Sequence, residues 1–163
     1  MLYHGTLQKY ANDITTNGVN LGKTNAVSDF GQGFYTTTIK TQAEAWAAQA
    51  QARISDDRIR QLEDNKPVII RYEVNREELG NLSTLVFLRG DFTDEDFWSF
   101  IFHCRAGNLG HNLINSSEYY DIVYGPVTDF WRQRSIKANS DQISFHTTIA
   151  IKILVNPLIF PVI

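Results

Sequence analysis

The sequence predicts an α+β protein, and three observations lead to this fold class. Two long segments, 41–64 and 93–107, have the residue spacing and capping signals of helices. The other apolar runs are short, contain β-branched residues and end near glycine or proline, as strands do. These strands are not separated by helices at the regular spacing of βαβ units, which favours antiparallel sheets.

Composition limits the classes of protein that need to be considered. A chain of 163 residues fits a single domain, 1–163, and 43% hydrophobic residues suffice for a buried core. The net charge of −3 and the pI of about 5.8 do not favour nucleic acid as a partner. Because Cys104 is the one cysteine, no internal disulfide forms, and we expect it to be a small core residue.

The first half of the chain contains four predicted elements. The alanine-rich segment is the clearest helix, with Thr41 as its N-cap. The pair Asn17-Gly18 is a stop signal for the shorter helix before it. The four elements are a strand at 2–6, a helix at 8–19, a strand at 33–39 and a helix at 41–64.

The second half adds strands around one amphipathic helix. Thr93 is the expected cap of that helix, acidic residues follow in its first turn, and Gly107 stands near its end. Gly125-Pro126 ends the strand after it. The predicted elements are strands at 67–75 and 83–89, a helix at 93–107, a strand at 119–127, and one or two late strands within 142–155.

Neither end of the chain predicts a membrane anchor. The apolar C-terminal stretch 153–163 is interrupted by Pro157 and Pro161, and a membrane span needs about 20 apolar residues. We expect it to form a final strand and a tail that packs on the protein, or alternatively a partner-binding tail. The N-terminus has neither a basic nor an apolar signal region, so we expect a cytoplasmic protein without membrane contact.

The tripeptide His4-Gly5-Thr6 is the first candidate binding element. An imidazole at the end of a strand can hydrogen-bond a sugar hydroxyl. Glycine has no Cβ, so a flat ligand can approach its N–H and C=O, which together can hold a carboxamide. The alternative is a surface histidine beside a turn glycine.

Aromatic residues after a glycine turn form the second candidate. Gly31 and Gly33 permit a tight turn, from which Phe34 and Tyr35 enter a strand, where Tyr35 can present its ring to a planar ligand. Trp46, eleven residues after Tyr35, is a second ring that can hold such a ligand. Alternatively these aromatics are core residues and Trp46 anchors its helix.

A late strand supplies the third candidate. The amide of Gln142 can donate to and accept from a ribose hydroxyl. His146 follows four residues later and is expected on the same face of the strand. The alternative is an ordinary polar strand edge.

Taken in order, the motifs LYHGT, DFGQGFYTT, an aromatic eleven residues on, YDIVYGP and QISFHT resemble the ADP-ribosyltransferase superfamily. The resemblance runs from Leu2 to about Leu154 and is closest to the diphtheria-toxin-like and poly(ADP-ribose)-polymerase-like branch. Within that branch, the sequence looks most like an uncharacterised bacterial family associated with toxins. The fold this implies is a split β-sandwich of two antiparallel sheets flanked by helices.

The resemblance also implies a role for each matching residue, with NAD as co-substrate. The residues implied in catalysis are His4, Tyr35 and Gln142. His4 would bind the adenosine-side ribose, Gly5 the nicotinamide carboxamide, and Thr6 would lie near the ribose. Phe34 and Tyr35 would form the nicotinamide wall, opposite a second ring at Trp46, and Gln142 occupies the position of the family's catalytic glutamate.

Two departures from the family pattern modify this expectation. Ala43 replaces a serine that holds the carboxamide, which implies looser nicotinamide binding. Gln142 cannot stabilise developing positive charge as a carboxylate does, so a single transfer is expected rather than chain elongation. His146 or Asp141 is the alternative source of the missing base.

The implied activity is mono-ADP-ribosyl transfer by a bacterial toxin or phage-defence effector. The acceptor would be a protein or nucleic acid, and the family's gene neighbourhood implies a small antitoxin partner. Two alternatives stay open: an NAD glycohydrolase that depletes the cofactor, and a weakly active or inactive NAD-binding pseudoenzyme. No metal is expected in any of them.

Overall fold

The computed structural model describes residues 1–111 and 118–162, and within them the chain is a mixed α+β protein with two sheets. The strands are β1 (Leu2–Leu7), β2 (Phe34–Thr36), β3 (Pro67–Val74), β4 (Thr84–Val86), β5 (Ile122–Gly125), β6 (Gln142–Phe145) and β7 (Leu154–Pro161). The α-helices are α1 (Gln8–Asn17), α2 (Lys40–Ala52), α3 (Asp57–Arg60), α4 (Arg76–Leu79), α5 (Glu95–Arg105) and α6 (Thr148–Ile151).

The chain divides into two compact units that interleave along the sequence. The first unit contains one sheet with α1 and α2, and the second contains the other sheet with α5. The first comprises Met1–Asn20, Thr36–Asn75 and Leu154–Ile163, and the second comprises Leu21–Tyr35 and Arg76–Ile153.

The sheet of the first unit has the strand order β1-β3-β7, and all its pairs are antiparallel, as expected. Gly5 pairs with Ile69 in this sheet, and α2 packs across it. A Cβ at Gly5 would lie 1.9 Å from the carbonyl oxygen of Ala43, so glycine is what lets this helix approach. The alanine-rich sequence of α2 therefore matches its close packing on β1.

The sheet of the second unit has the order β2-β6-β5-β4 and differs from the expected antiparallel pattern. β5 and β6 are antiparallel, but β4 runs parallel to β5. Parallel neighbours need a long crossover connection, and here that connection contains α5. The prediction of two antiparallel sheets is therefore wrong for β4.

An aromatic core holds α5 against this second sheet. The fully buried side chains of the cluster include Phe30, Phe97, Trp98 and Cys104. Burial raises the pKa of the Cys104 thiol to about 12, in agreement with its predicted core role. The cap of α5 is Asp94, whose carboxylate accepts from the N–H of Phe97, and not Thr93 as the sequence predicted.

The long helix predicted for 41–64 is interrupted. α2 ends at Ala52, and its N-cap residue is Ile39 rather than Thr41. Asp56 then accepts from the N–H groups of Arg58 and Ile59, and it begins the separate α3. A short carboxylate that bonds nearby N–H groups competes with helix continuation, and this is the reason for the break.

The end of the chain is also more varied than predicted. Thr147 caps the short helix α6, which lies within the segment expected to be one or two strands. β7 follows as an edge strand, and most of its residues are half-buried or exposed. Across residues 1–111 and 118–162, no helix has both the length and the apolar character needed to span a membrane.

Candidate functional site

The outer edge of β1 presents unpaired backbone groups beside His4. Tyr3 and Thr37 exchange two backbone hydrogen bonds of 2.9 Å on the side of β1 that faces away from β3. Because backbone groups alternate in direction along a strand, Gly5 directs its N–H and C=O to the same side as Tyr3. Beyond this bridge, the described residues place no further strand on that edge. Gly5 therefore offers a donor and an acceptor together.

The neighbours of Gly5 lie on defined faces of the same sheet. The missing side chain of Gly5 faces α2, so His4 and Thr6 lie on the opposite face. His4 is half-buried and Thr6 is buried. Trp46, on α2, is also half-buried. The first unit thus contains four of the predicted cofactor-binding residues, and the second unit contains Phe34, Tyr35 and Gln142.

The glycine turn of the second unit is held by the phenol of Tyr35. That hydroxyl accepts from the N–H of Phe30 at 2.9 Å and donates to the carbonyl of Gly31 at 2.7 Å. Burial raises the pKa of the phenol well above its usual value. Gly31 has a φ of 78°, which favours glycine. The hydroxyl of Tyr35 is therefore used within its own turn, and its ring is the part that can stack on a ligand.

Two buried imidazoles also bond to carbonyl groups of the same turn. His111 accepts at Nδ1 from the N–H of Tyr120, so its Nε2–H donates to the carbonyl of Phe30 at 2.9 Å. His146 contacts the carbonyl of Gln32 through Nδ1 at 2.7 Å, which requires a proton there. The two rings lie edge to face with centroids 4.3 Å apart. Together they fix the carbonyl groups on both sides of Gly31.

The environment of His146 makes it a poor general base. Its Nε2 lies 2.7 Å from Oγ of Ser144, and the Ser144 side chain is fully buried. Desolvation, with the neighbouring His111, lowers the pKa of His146 to about 3, and desolvation lowers that of His111 to about 4. His146 also lies one residue beyond the end of β6. Both nitrogens are engaged, Nδ1 by the carbonyl of Gln32 in the turn and Nε2 by Ser144 in β6, and this weighs against His146 as the missing base.

Asp29 organises the surroundings of Gln142. The carboxylate is buried, with 4% of its surface exposed, and accepts from the guanidinium of Arg105 and from both the N–H and the hydroxyl of Thr128. It also accepts from Nε2 of Gln142 at 2.7 Å. The same Gln142 nitrogen donates to the carbonyl of Pro126 at 2.9 Å.

These contacts determine which atom of Gln142 can meet a ligand. An amide nitrogen has two hydrogens, and here Asp29 and Pro126 accept both. The arrangement also fixes the orientation of the amide, because the two neighbouring oxygens accept only from nitrogen. The carbonyl oxygen Oε1 remains as an acceptor for a hydroxyl group.

Sequence reasoning did not identify Asp29, Arg105, Thr128 or His111. The one local signal that could have identified Asp29 is the presence of an acidic residue inside the aromatic and glycine-rich stretch SDFGQG. Its partners are 76 and 99 residues away along the chain, so no local pattern reveals them. In the described ranges 1–111 and 118–162, no group of three His, Cys, Asp or Glu side chains is arranged to hold a metal ion.

The fold and these contacts define an α+β protein with a side-chain-clamped glycine turn and a buried Asp29–Gln142 pair. The chain belongs to the family described as "Protein of unknown function (DUF3990)", whose pattern matches residues 1–130. No curated protein matches the sequence.

Proposed function

We propose that this protein is an NAD-dependent mono-ADP-ribosyltransferase with the split β-sandwich of that superfamily. The observation that carries the proposal is the free edge of β1 at Gly5, whose N–H and C=O match the acceptor and donor of a carboxamide. His4 comes directly before Gly5 in the same strand. The motifs over residues 2–154 resemble those of the ADP-ribosyltransferase superfamily, and this resemblance implies that the bound carboxamide is that of nicotinamide.

The proposed reaction breaks the bond between nicotinamide and C1′ of its ribose. The bonding electron pair leaves with the nicotinamide nitrogen, so neutral nicotinamide departs without needing a proton. An acceptor nucleophile then bonds to C1′ of the oxocarbenium-like centre and loses its own proton to solvent or a nearby base. Such chemistry depends mainly on positioning and on a polar environment fixed in advance.

Gln142 would orient the ribose in this reaction rather than neutralise charge. Its Oε1 can accept from the 2′-hydroxyl, while Asp29 and Pro126 hold its nitrogen in place. A neutral amide stabilises an oxocarbenium-like centre less than a carboxylate does. We therefore expect a single transfer, with a lower rate than a glutamate at this position would give in a site built for it.

The test uses NAD carrying one label in nicotinamide and another in adenine. The full chain is incubated with cell lysate, and released nicotinamide is compared with adenine label retained on protein or nucleic acid. His4→Ala should abolish transfer, whereas the matched control His103→Ala, outside the proposed site, should not. If the wild-type chain releases no nicotinamide and does not bind NAD, the proposal fails.

A second candidate is NAD binding without turnover. The amide of Gln142 favours it, because the amide carries no charge and both of its N–H groups are engaged by Asp29 and Pro126. In that case calorimetry would detect NAD binding while nicotinamide stays attached. Release of nicotinamide with free ADP-ribose and no labelled macromolecule would instead identify NAD hydrolysis. The labelled experiment and calorimetry together therefore separate transfer, hydrolysis and binding without turnover.

A further inference from the structure

A cavity of about 700 Å³ lies in the second unit, and its described lining includes no residue assigned above to NAD. It opens beside β4, α5 and the segment 118–120. Its size falls within the range of small-molecule sites, roughly 300–1,000 Å³. None of His4, Tyr35 or Gln142 lines it. The cavity is therefore a candidate for a second ligand.

Aromatic rings form much of the cavity wall. Phe87 and Phe100 lie with centroids 5.3 Å apart, and Phe100 lies 5.2 Å from the ring of His111. His111 in turn contacts the rings of Tyr119 and Tyr120 at 5.0 and 6.0 Å. The contacts between these rings make the wall a connected surface with π-electron faces.

His111 strengthens this wall without adding positive charge. Both of its nitrogens are engaged, one by the N–H of Tyr120 and the other by the carbonyl of Phe30. Desolvation lowers its pKa to about 4, so the ring is neutral at neutral pH. A ligand in the cavity therefore meets carbon surface from this residue.

The charged groups of the cavity have one sign. Asp96 and Glu118 line it, and no lysine or arginine is among its described lining residues. Carboxylates that line an aromatic cavity repel phosphates and attract cations. Aromatic faces also attract cations. Size, ring surface and charge thus agree on one ligand chemistry.

We propose that this cavity binds a monovalent organic cation that carries an apolar body. The apolar body would pack on Phe87 and Phe100, and the cationic head would lie near Asp96 and Glu118. NAD, with its two phosphates, is a poor match for this site. The proposal is independent of the activity proposed above and can be tested without any turnover.

The probe is benzyltrimethylammonium, with phenylacetate as an aromatic control of opposite charge. Each is titrated into the full chain by calorimetry and by NMR observation of the aromatic side chains. The cation should bind at millimolar or lower concentration, shift the Phe100 and Tyr119 resonances and weaken with added salt. Equal binding of phenylacetate, or no binding of the cation, would overturn the proposal.

Charge-neutralising variants locate the binding. Asp96→Asn and Glu118→Gln should each raise the Kd of the cation by about 2- to 5-fold, since an exposed ion pair contributes that much. Glu78→Gln removes the same charge from an exposed position outside the cavity and should leave the Kd unchanged. Three equal effects would mean non-specific attraction and would contradict the site.

Discussion

The side-chain amide of Gln142 donates a 2.7 Å hydrogen bond to the buried carboxylate of Asp29, 113 residues earlier in the chain. This contact gives a structural reason for glutamine at position 142. A second carboxylate here would face Asp29 and the carbonyl of Pro126 without a donor between them. The identity of residue 142 is thus linked to the identity of residue 29.

Gln142→Glu should lower the stability of the folded protein. Two carboxylates in contact cannot both ionise easily, and we expect a loss of about 2–4 kcal/mol in the free energy of unfolding near neutral pH. The folded pKa of the new pair is raised, so the loss should shrink as pH falls. Urea denaturation at several pH values measures it, with the exposed Gln133→Glu as control. A variant as stable as the wild type would refute the link.

Asp29→Asn should be among the most damaging single changes in the second unit. It leaves the half-buried guanidinium of Arg105 without its charged partner, and we expect a cost of about 2–3 kcal/mol. The matched change Glu95→Gln breaks an exposed ion pair to Arg134 and should have a far smaller effect. Thermal or urea unfolding of both variants measures the difference. Similar losses would contradict the central role of Asp29.

Gly5→Ala should disturb the contact between β1 and α2. The new methyl group would lie 1.9 Å from the carbonyl oxygen of Ala43, so the helix has to shift, at a cost of about 1–3 kcal/mol or more. Gly80→Ala is the control, because a Cβ there meets no atom within 4 Å. The measurement is the midpoint of urea unfolding. Equal midpoints for the two variants would show that the packing is not tight.

Tyr35→Phe should separate the two roles of this residue. Loss of the hydroxyl leaves the N–H of Phe30 and the carbonyl of Gly31 without their partner, a loss of about 1–3 kcal/mol in stability. Under the proposed function the retained ring stacks on nicotinamide, so NAD affinity measured by calorimetry should fall less than in Tyr35→Leu. The exposed Tyr10→Phe serves as the stability control. If Tyr35→Phe is as stable as wild type, the phenol does not hold the turn.

The buried imidazoles predict a loss of stability in acid. The folded pKa values of His111 and His146, about 4 and about 3, lie below the usual 6.5, so the unfolded chain takes up protons first. Their stabilising contribution is complete above about pH 6.5 and declines as pH falls towards 4. Between about pH 7 and pH 5 each imidazole should account for roughly 2 kcal/mol.

His146→Gln is the variant that tests this acid effect. It removes one titrating group, so the decrease in unfolding free energy between neutral and mildly acidic pH should become smaller than in the wild type. Urea denaturation at each pH gives the slope. An unchanged slope would show that His146 does not contribute.

Local patterns predicted much of the fold correctly. The strand at the N-terminus, the helix that stops before Gly18, and the strand beginning at Pro67 all occur where expected. Each is governed by residues within one or two turns of itself, such as a positive φ at Gly18 or an apolar run after a proline. The helix predicted at 41–64 did not include the break after α2. That prediction followed the strong helix propensity of these residues and not the competing cap at Asp56.

The sequence by itself determined the α+β class and the core position of Cys104. Only the tertiary structure decided that β4 runs parallel to β5 and that Asp29 joins Arg105, Thr128 and Gln142. Strand and helix signals arise from neighbours in the chain. Burial of a charge is stable only when donors from distant segments converge on it, and that convergence is a property of the folded chain.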